Sequence, residues 1–425
     1  MTVKKIISHH INNPVVTVPG SKYLANRYVA IAALANGATV LRNMPVNDDI
    51  EAALEAVQRL GAKVTQLSEH EVSITGIERF EQPESIHIDC RDSGTLSRFV
   101  TALASNLSST AIIGASAQMR QRPMEEVTAS LRSLGVSVQG DKLPIELKGP
   151  LQGGQITLDT SRSSQYLSGL LIACLKAKTD TRIRLEGKTV SSSYIQLTKD
   201  AIARFGGQIE ALSDKELLIP ANQDIVATDI QVAGDVVSSS YFMAAALLAK
   251  TSVTLQGYAF NSPQGESGFY RVLEAMGAEI ETRGNDLRIA YEQPLQGVDV
   301  DMGDMPDAVP TLVVTALFAS GQTHITNIAH LAFKESNRIV DLCEQLKKLG
   351  AVVEYDDDSI TVTGQQPLTV ARLSSCHDHR LAMSFALIGL RLPGVVIEDA
   401  QAVEKSFPLY WQYLEQIGVE VVDID

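Results

Sequence analysis

The stretch Leu60-Gly61-Ala62-Lys63-Val64 decides the fold, because its pattern returns five more times along a chain of 425 residues. Each copy has an apolar residue, a glycine, a small residue, a variable residue and a β-branched residue, in that order. The other copies occupy residues 134–138, 205–209, 276–280, 349–353 and 417–421. Their glycines lie 74, 71, 71, 73 and 68 residues apart. Self-similarity at so even a period indicates a fold built from repeated units.

Each of these glycines marks a point where a helix is predicted to end and a strand to begin, since glycine adopts a left-handed turn at little cost. The runs 49–60 and 335–349 have apolar residues at helical spacing before their glycines. A second helix in each repeat, as in 166–175 and 241–249, is apolar over most of its circumference and is therefore predicted to be buried. Each unit thus holds one buried helix, one more exposed helix and several short strands.

The number of repeats predicts the domain organisation. Six units divide as three plus three, with a break near Gly234, and 425 residues exceed one typical core. We expect residues 20–233 to form one lobe with repeats 1–3, and residues 1–19 with 234–425 to form a second lobe with repeats 4–6. The active site is expected in a cleft between the lobes.

Composition and charge exclude several classes of function. A net charge of −14 and a pI of about 5.1 argue against a nucleic-acid-binding surface, so an anionic ligand needs a local basic pocket. The four cysteines are far apart and predict neither disulfides nor a zinc site. The chain shows no signal-peptide core and no apolar run long enough for a bilayer, so we expect a cytoplasmic protein without membrane contact.

Positive side chains cluster at or near the predicted helix starts, where a cation opposes the helix dipole. They are Lys22, Arg27, Arg122, Lys334, Arg338, Arg380 and Lys405. Three of them stand at the predicted starts of exposed helices, at 122–123, 334–335 and 405–406. A cation is favourable at such a position when an anion lies between it and the free N–H groups. Polar residues without a further signal, such as Asn47 and Asp235, are predicted to be helix caps.

The motifs at these positions resemble those of the 5-enolpyruvylshikimate-3-phosphate synthase family along the whole chain. They are Pro19-Gly20-Ser21-Lys22, Arg27, Ser163-Ser164-Gln165, Gly234-Asp235, Pro306-Asp307-Ala308, Lys334-Glu335-Ser336, Asp378-His379-Arg380 and Lys405-Ser406-Phe407-Pro408. The resemblance implies a two-lobed inside-out α/β barrel of six βαβαββ-type repeats, three per lobe. It implies transfer of the enolpyruvyl group of phosphoenolpyruvate to the 5-hydroxyl of shikimate 3-phosphate. We expect a monomer that needs no metal or cofactor.

The resemblance also implies roles for individual residues. For phosphoenolpyruvate it implies binding by Lys22, Gly94, Arg122, Gln165, Arg338, Arg380 and Lys405. For shikimate 3-phosphate it implies binding by Lys22, Tyr23, Arg27, Ser163, Ser164, Gln165, Ser191, Asp307, His330 and Lys334. The predicted catalytic residues are Asp307 as base, Glu335 as acid, Lys22 as a proton carrier and His379 as a relay.

Four positions depart from the family pattern. Tyr23 stands where the family usually has Ser, and Asp92 and His330 stand where it usually has Asn. Ala332 stands where it usually has Arg. Since Tyr23 and His330 fall at acceptor positions, a paralogue with another phosphorylated acceptor, or a weakly catalytic anion-binding homologue, stays open. Asp92 adds a negative charge near phosphoenolpyruvate unless it pairs with a cation such as Arg98. A UDP-N-acetylglucosamine enolpyruvyl transferase is disfavoured, because residues 115–118 lack its loop cysteine.

Overall fold

The computed structural model describes residues 2–80, 85–187 and 189–424. The chain forms two compact units. The continuous unit is Pro19–Ala233, and the discontinuous unit comprises the chain up to Val18 and from Gly234 onward. Pro19, which the sequence analysis placed in the other lobe, belongs to the continuous unit.

Twelve α-helices lie in the described ranges, six in each unit. Those of the continuous unit are α1 (Lys22–Ala32), α2 (Asp48–Leu60), α3 (Gly94–Ala104), α4 (Glu125–Ser133), α5 (Gln165–Ala173) and α6 (Ser192–Arg204). Those of the discontinuous unit are α7 (Val236–Leu248), α8 (Phe269–Ala275), α9 (Val309–Ala316), α10 (Arg338–Lys347), α11 (His379–Ile388) and α12 (Tyr410–Gln416). Short 3-10 helices lie at Met119–Gln121, Cys174–Lys176, Gly265–Gly268, Pro306–Ala308, Ala329–Phe333 and Ala400–Lys405.

The strands form four-stranded sheets that share one pattern, a parallel pair followed by two antiparallel neighbours. The strands are β1 (Val3–His9), β2 (Val15–Thr17), β3 (Ala38–Arg42), β4 (Lys63–Ser68), β5 (Glu71–Thr75), β6 (Ile86–Asp89), β7 (Thr110–Gly114), β8 (Ser137–Gln139), β9 (Ile145–Lys148), β10 (Gly154–Asp159), β11 (Thr181–Glu186), β12 (Glu210–Ser213), β13 (Glu216–Ile219), β14 (Ile230–Gln231), β15 (Ser252–Gln256), β16 (Glu279–Arg283), β17 (Asp286–Ala290), β18 (Asp299–Asp301), β19 (Gln322–Thr326), β20 (Val352–Tyr355), β21 (Ile360–Thr363), β22 (Arg372–Ser374), β23 (Val396–Glu398) and β24 (Val419–Ile424). The sheets of the continuous unit are β14-β3-β5-β4, β6-β7-β9-β8 and β10-β11-β13-β12. Those of the discontinuous unit are β16-β17-β15-β2, β18-β19-β21-β20 and β22-β23-β1-β24.

The predicted βαβαββ repeat is confirmed, and β6-α3-β7-α4-β8-β9 shows it in full. Two leading strands are exchanged between repeats. β2 directly precedes α1 but pairs in parallel with β15, and β14 directly precedes α7 but pairs in parallel with β3. The continuous unit therefore completes a sheet with its own last strand, whereas the discontinuous unit completes one with a strand that precedes the continuous unit in the chain.

The six repeat glycines have the predicted left-handed conformation. Their φ angles are 111° at Gly61, 84° at Gly135, 78° at Gly206, 106° at Gly277, 84° at Gly350 and 101° at Gly418. Gly61, for example, is the C-cap of α2, and its N–H donates to the carbonyl of Gln58 at 3.0 Å. These glycines end the helices as the pattern predicts.

The helices that are apolar over most of their circumference are buried, as predicted. All thirteen residues of α7 are buried, and so are all residues of α1, α9 and α11. Hydroxyls in this core satisfy one another, since Thr311 Oγ1 lies 3.3 Å from Ser240 Oγ and 3.4 Å from Ser384 Oγ. Within the described part of the chain, no helix is both long and apolar enough to cross a membrane.

The predicted starts of three exposed helices are wrong. α4, α10 and α12 begin at Glu125, Arg338 and Tyr410, three to five residues beyond the predicted positions. One cause is that a residue before proline is pushed out of the helical region, and Arg122, before Pro123, has φ −79° and ψ 145°. Arg122, Lys334 and Lys405 therefore lie in segments that precede these helices rather than in their first turns.

The buried cysteines yield a testable expectation. Burial raises the pKa of the Cys90, Cys174 and Cys343 thiols to about 12, so their thiolate fraction at pH 8 is about 10⁻⁴. We expect iodoacetamide to spare these three thiols in the native protein and to modify only the half-buried Cys376 slowly. Peptide mass spectrometry before and after unfolding in urea checks this, and rapid native modification of Cys90 contradicts it.

Candidate active site

Arg338, at the start of α10, is the centre of an ion-pair network in the discontinuous unit. Its side chain is 1% exposed, and Nε and Nη2 donate to the carboxylate of Asp378 at 2.7 and 3.1 Å. Nη1 donates to Asp307 Oδ1 at 2.7 Å, and Nη2 donates to Glu335 Oε2 at 2.9 Å. Burial alone lowers the pKa of Arg338, but the charges of Asp378, Glu335 and Asp307 raise it well above its ordinary value. This fixed cation joins the segments that lead into α9, α10 and α11.

Asp378 serves both as a helix cap and as the main partner of Arg338. It is fully buried and is the N-cap of α11, where Oδ1 accepts from the backbone N–H of Arg380 at 2.8 Å. Oδ2 also accepts from the hydroxyl of Ser336 at 3.2 Å. A single carboxylate thus fixes the position of two arginines.

The remaining cations of this unit contact the two predicted catalytic carboxylates. Lys405 Nζ donates to Glu335 Oε1 at 2.7 Å, and Lys334 Nζ lies 3.7 Å from Asp307 Oδ1. Arg380 Nη2 lies 3.9 Å from Asp307 Oδ2, while its Nη1 donates to the hydroxyl of Tyr241 at 2.9 Å. We call the following set the carboxylate–cation cluster: Asp307, Lys334, Glu335, Arg338, Asp378, Arg380 and Lys405. It holds four cations against three carboxylates, so it favours an additional anion.

Two histidines from the sequence prediction lie in the same unit. His379, the first residue of α11, is 2% exposed, and its Nδ1 lies 3.8 Å from Asp378 Oδ1. His330 is 4% exposed in the 3-10 helix that precedes Lys334. Across the described residues, no group of three or more His, Cys, Asp or Glu side chains is placed to hold a metal ion.

In the continuous unit, Lys22 links the starts of two helices. It is the first residue of α1, and its Nζ donates to Asp49 Oδ2, in the first turn of α2, at 3.0 Å. Both residues are buried, at 8% and 4% exposure. The hydroxyl of Ser21 caps α1 by accepting from the N–H of Leu24. The ammonium group is therefore held at a fixed position at the helix start.

Arg122 lies over the start of α3, where only a glycine leaves enough room. A Cβ added at Gly94 would lie 2.8 Å from Arg122 Cζ. Arg98 fixes the same region, since it donates to the carbonyls of Gly94 at 3.1 Å and Pro123 at 2.6 Å. Asp92 accepts a hydrogen bond from the hydroxyl of Ser116. The guanidinium of Arg122 therefore lies against the N-terminus of a buried helix.

This close approach gives a prediction for Gly94→Ala. The new methyl group must displace the Arg122 guanidinium, so we expect the KM for phosphoenolpyruvate to rise roughly tenfold or more through loss of a charged hydrogen bond. Steady-state kinetics measure it. Gly268→Ala is the matched control, because nothing lies within 4 Å of its added Cβ and its φ is −92°. An unchanged KM in Gly94→Ala contradicts a binding role for Arg122.

The predicted polar residues of α5 and α6 lie at the starts of these helices. Gln165 begins α5; its Nε2 donates to Thr95 Oγ1 at 3.2 Å, and its N–H donates to Ser163 Oγ at 3.2 Å. Ser164 is the N-cap of α5, and Ser191 precedes α6 with a left-handed φ of 52°. The starts of α3 and α5 are therefore adjacent.

Arg27 is a buried cation whose hydrogen bonds, among the residues that the structure describes, go to uncharged oxygens. At 2% exposure, it donates to the carbonyls of Tyr23 at 2.9 Å and Tyr194 at 3.1 Å, and to Thr198 Oγ1 at 2.8 Å. Burial lowers the pKa of Arg27 to about 10, so the side chain stays protonated at neutral pH. The rings of Tyr23 and Tyr194 pack edge to face at 5.3 Å.

The predicted residues divide between the two units. The set of the discontinuous unit is Asp307, His330, Lys334, Glu335, Arg338, His379, Arg380 and Lys405. The set of the continuous unit is Lys22, Tyr23, Arg27, Gly94, Arg122, Ser163, Ser164, Gln165 and Ser191. Several partners of these residues were not predicted from the sequence, namely Asp49, Tyr194, Tyr241 and the carboxylate of Asp378. For Asp378 the signal was available, since an Asp directly before a buried helix that starts with His-Arg is a typical N-cap.

Six βαβαββ repeats with charged residues at their helix starts define the enolpyruvyl transferase class of α/β fold. EPSP synthase from Acinetobacter baumannii superposes with a TM-score of 0.83 over 100% of both chains at 26% identity. The enolpyruvyl transferase NikO from Streptomyces tendae shares the fold with a TM-score of 0.77 over 99% of this chain and 98% of its own, at 15% identity.

The sequence itself defines the family. Residues 9–414 match the EPSP synthase (3-phosphoshikimate 1-carboxyvinyltransferase) family. Two relatives that bear the name 3-phosphoshikimate 1-carboxyvinyltransferase are those of Photobacterium damsela subsp. piscicida, 37% identical over 96% of this chain and 97% of its own, and Aeromonas salmonicida, 38% identical over 96% of each. The chain belongs to the EPSP synthase family.

Proposed function

We propose that this protein transfers the enolpyruvyl group of phosphoenolpyruvate to the 5-hydroxyl of shikimate 3-phosphate and releases phosphate. The observation that carries the proposal is the carboxylate–cation cluster in a member of the EPSP synthase family. In the addition step, the hydroxyl oxygen bonds to C2 of phosphoenolpyruvate, and C3 gains a proton to become a methyl group. In the elimination step, C3 loses a proton and the C2–phosphate oxygen bond breaks.

Phosphoenolpyruvate carries a carboxylate and a phosphate, which matches the excess of cations. In this proposal Arg338, Arg380 and Lys405 bind it from one set, while Lys22, Arg122 and Gln165 bind it from the other. Planar guanidinium groups bind such anions bidentately, and Arg380 is held in place by Tyr241. Gly94 leaves room for Arg122.

Asp307 is the proposed base and Glu335 the proposed acid. Asp307 has Lys334, Arg338 and Arg380 within 4 Å, and these cations favour its ionised form, which is the form that a base requires. Lys405 and Arg338 donate to Glu335, so a bound anion that competes for these cations leaves Glu335 free to carry a proton. Lys22 is the proposed proton carrier and His379 a relay.

Shikimate 3-phosphate is the proposed acceptor. Ser163, Ser164, Gln165 and Ser191, at the starts of α5 and α6, suit its 3-phosphate together with Lys334, because helix N-termini favour phosphate groups. His330 lies in the 3-10 helix before Lys334, and Asp307 contacts Lys334. His330 and Asp307 are therefore also proposed to lie against shikimate 3-phosphate. Arg27, whose charge the uncharged partners leave uncompensated, suits the ring carboxylate.

Phosphate release from purified protein tests the proposed function. We expect release only when both phosphoenolpyruvate and shikimate 3-phosphate are present. Binding of phosphoenolpyruvate without release in the presence of shikimate 3-phosphate contradicts the proposed acceptor. In that case, phosphate release with another phosphorylated alcohol identifies a paralogue. If no acceptor leads to phosphate release, the protein is a weakly catalytic anion-binding homologue.

One observation favours a different or reshaped acceptor, namely the packing of Tyr23 next to Arg27. Tyr23 is 7% exposed, and its ring occupies space against Tyr194 that a serine leaves open. We expect Tyr23→Ser to lower the KM for shikimate 3-phosphate at least threefold, with the KM for phosphoenolpyruvate unchanged. Tyr23→Phe is the matched control, because it keeps the ring and is expected to behave like the wild type. A raised KM in Tyr23→Ser shows instead that the ring contributes to acceptor binding.

A further inference from the structure

Glu266 is a buried carboxylate to which the proposed chemistry assigns no role. It lies in the 3-10 helix Gly265–Gly268, directly before α8, and is 0% exposed. A carboxylate without water is unfavourable unless hydrogen bonds and nearby charges compensate.

One partner of Glu266 is the backbone of Asp307. Glu266 Oε1 accepts from the N–H of Asp307 at 3.2 Å. Asp307 lies in the 3-10 helix Pro306–Ala308 that leads into α9, and N–H groups in the first turn of a helix have no partner within the helix. The side chain of Asp307 extends from this backbone, so the Glu266 contact fixes the direction of the carboxylate that meets Arg338 and Lys334.

The segment that carries Glu266 is itself fixed on two sides. A Cβ added at Gly265 would lie 2.7 Å from the carbonyl carbon of Asp304, so glycine permits close packing against the loop before Asp307. The hydroxyl of Tyr258 donates to the carbonyl of Ser267 at 2.9 Å. Burial raises the pKa of Tyr258, so this hydroxyl keeps its proton and remains a donor. Glu266 is therefore a rigid acceptor for the N–H of Asp307.

We propose that Glu266 is a positioning residue for Asp307 and acts through its hydrogen bond to the Asp307 N–H. The inference rests on the proposed role of Asp307 as base. A carboxylate that is misplaced by about 1 Å loses roughly a hundredfold in rate, although the substrates still bind. The hydrogen-bond acceptor is the required feature, since an amide oxygen at the same position accepts equally well.

Two variants and a control separate positioning from general stability. We expect Glu266→Leu to lower kcat about 10- to 100-fold while both KM values change less than threefold. Glu266→Gln keeps an acceptor oxygen and is expected to keep kcat within about threefold. Glu274→Leu, at an exposed glutamate of α8, is the matched control and is expected to keep wild-type kinetics. If Glu266→Leu does not fold, Glu266→Asp replaces it, because the shorter side chain withdraws the acceptor.

Hydrogen exchange gives a test that does not depend on activity. We expect the Asp307 amide to exchange faster in Glu266→Leu than in the wild type and at the wild-type rate in Glu266→Gln, as measured by mass spectrometry with fragmentation. An unchanged exchange rate in Glu266→Leu overturns the proposal.

A double variant separates the positioning role of Glu266 from the role of Asp307 as base. In the Asp307→Asn background, Glu266→Leu is expected to cause no further loss of kcat, and an additive loss overturns the positioning role. If Asp307→Asn alone keeps wild-type kcat, the role of Asp307 as base is wrong, and with it the catalytic part of the Glu266 proposal.

Discussion

Asp307→Asn is expected to lower kcat about 10²- to 10⁴-fold, because an amide of the same shape cannot accept the hydroxyl proton. Asp307 Oδ1 accepts from Arg338 at 2.7 Å and lies 3.7 Å from Lys334, and an amide oxygen keeps an acceptor for both. The KM for phosphoenolpyruvate is therefore expected to change little. Phosphate release under saturating substrates measures the effect.

The control for this variant is Asp299→Asn. Asp299 lies at an exposed position of β18, outside the carboxylate–cation cluster, and loses the same charge. We expect wild-type kinetics for it. A kcat for Asp307→Asn within tenfold of the wild type contradicts the assignment of Asp307 as base and leaves Glu335 or Lys22 as the alternatives.

Arg338→Met is expected to lower the free energy of unfolding of the discontinuous unit by about 3–5 kcal/mol. The variant leaves Asp307, Glu335 and Asp378 buried together without the cation that they share. Urea unfolding measures the change. Trp411, the single tryptophan, is 7% exposed in the discontinuous unit, so its fluorescence reports on that unit.

The control for this effect is Arg372→Met. Arg372 pairs with Glu398 at 2.9 Å, but its side chain is 53% exposed, and such pairs contribute about 0–1 kcal/mol.

The pKa of Arg338 is raised, so the stabilisation is present below its ordinary pKa and is lost only as pH rises through the higher folded value. The difference between Arg338→Met and the wild type is therefore expected to be equal at pH 7 and pH 9. A loss below 1 kcal/mol contradicts the central role of Arg338.

The repeat pattern was sufficient to predict most of the fold, because each part of it reports on local physics. A glycine such as Gly61 ends a helix through a left-handed φ, which depends on its own backbone alone. The burial of α7 follows from a helix that is apolar all round. The helix start near Arg122 was misplaced although the local rule for a residue before proline places it outside the helix, and the start near Lys405 was misplaced because the 3-10 helix Ala400–Lys405 precedes α12.

The residue types of the candidate site follow from the sequence, but the pairings among them do not. Cations at helix starts indicated anion binding, yet the sequence gives no distance between Lys22 and Asp49, which lie 27 residues apart. Arg338 reaches Asp378 across 40 residues and two repeats. The contact of Glu266 with the Asp307 backbone could not be predicted either, since the two residues are 41 positions apart. Only the packing of the repeats brings these groups together.

The exchanged strands β2 and β14 set the order in which the two units fold during synthesis. The continuous unit contains every strand of its three sheets once Ala233 has been made, because β14 completes the sheet of β3. In contrast, β1 pairs with β23 and β24, and β2 pairs with β15, so these first strands lack partners until later segments emerge from the ribosome. At roughly 5–20 residues per second, the 192 residues after Ala233 take about 10–40 s to make. During that interval β2 can pair with β15 once Gln256 has been made, whereas β1 lacks both of its partners until β23 and β24 emerge, so β1 is the strand of the nascent chain that stays unpaired longest and most open to aggregation.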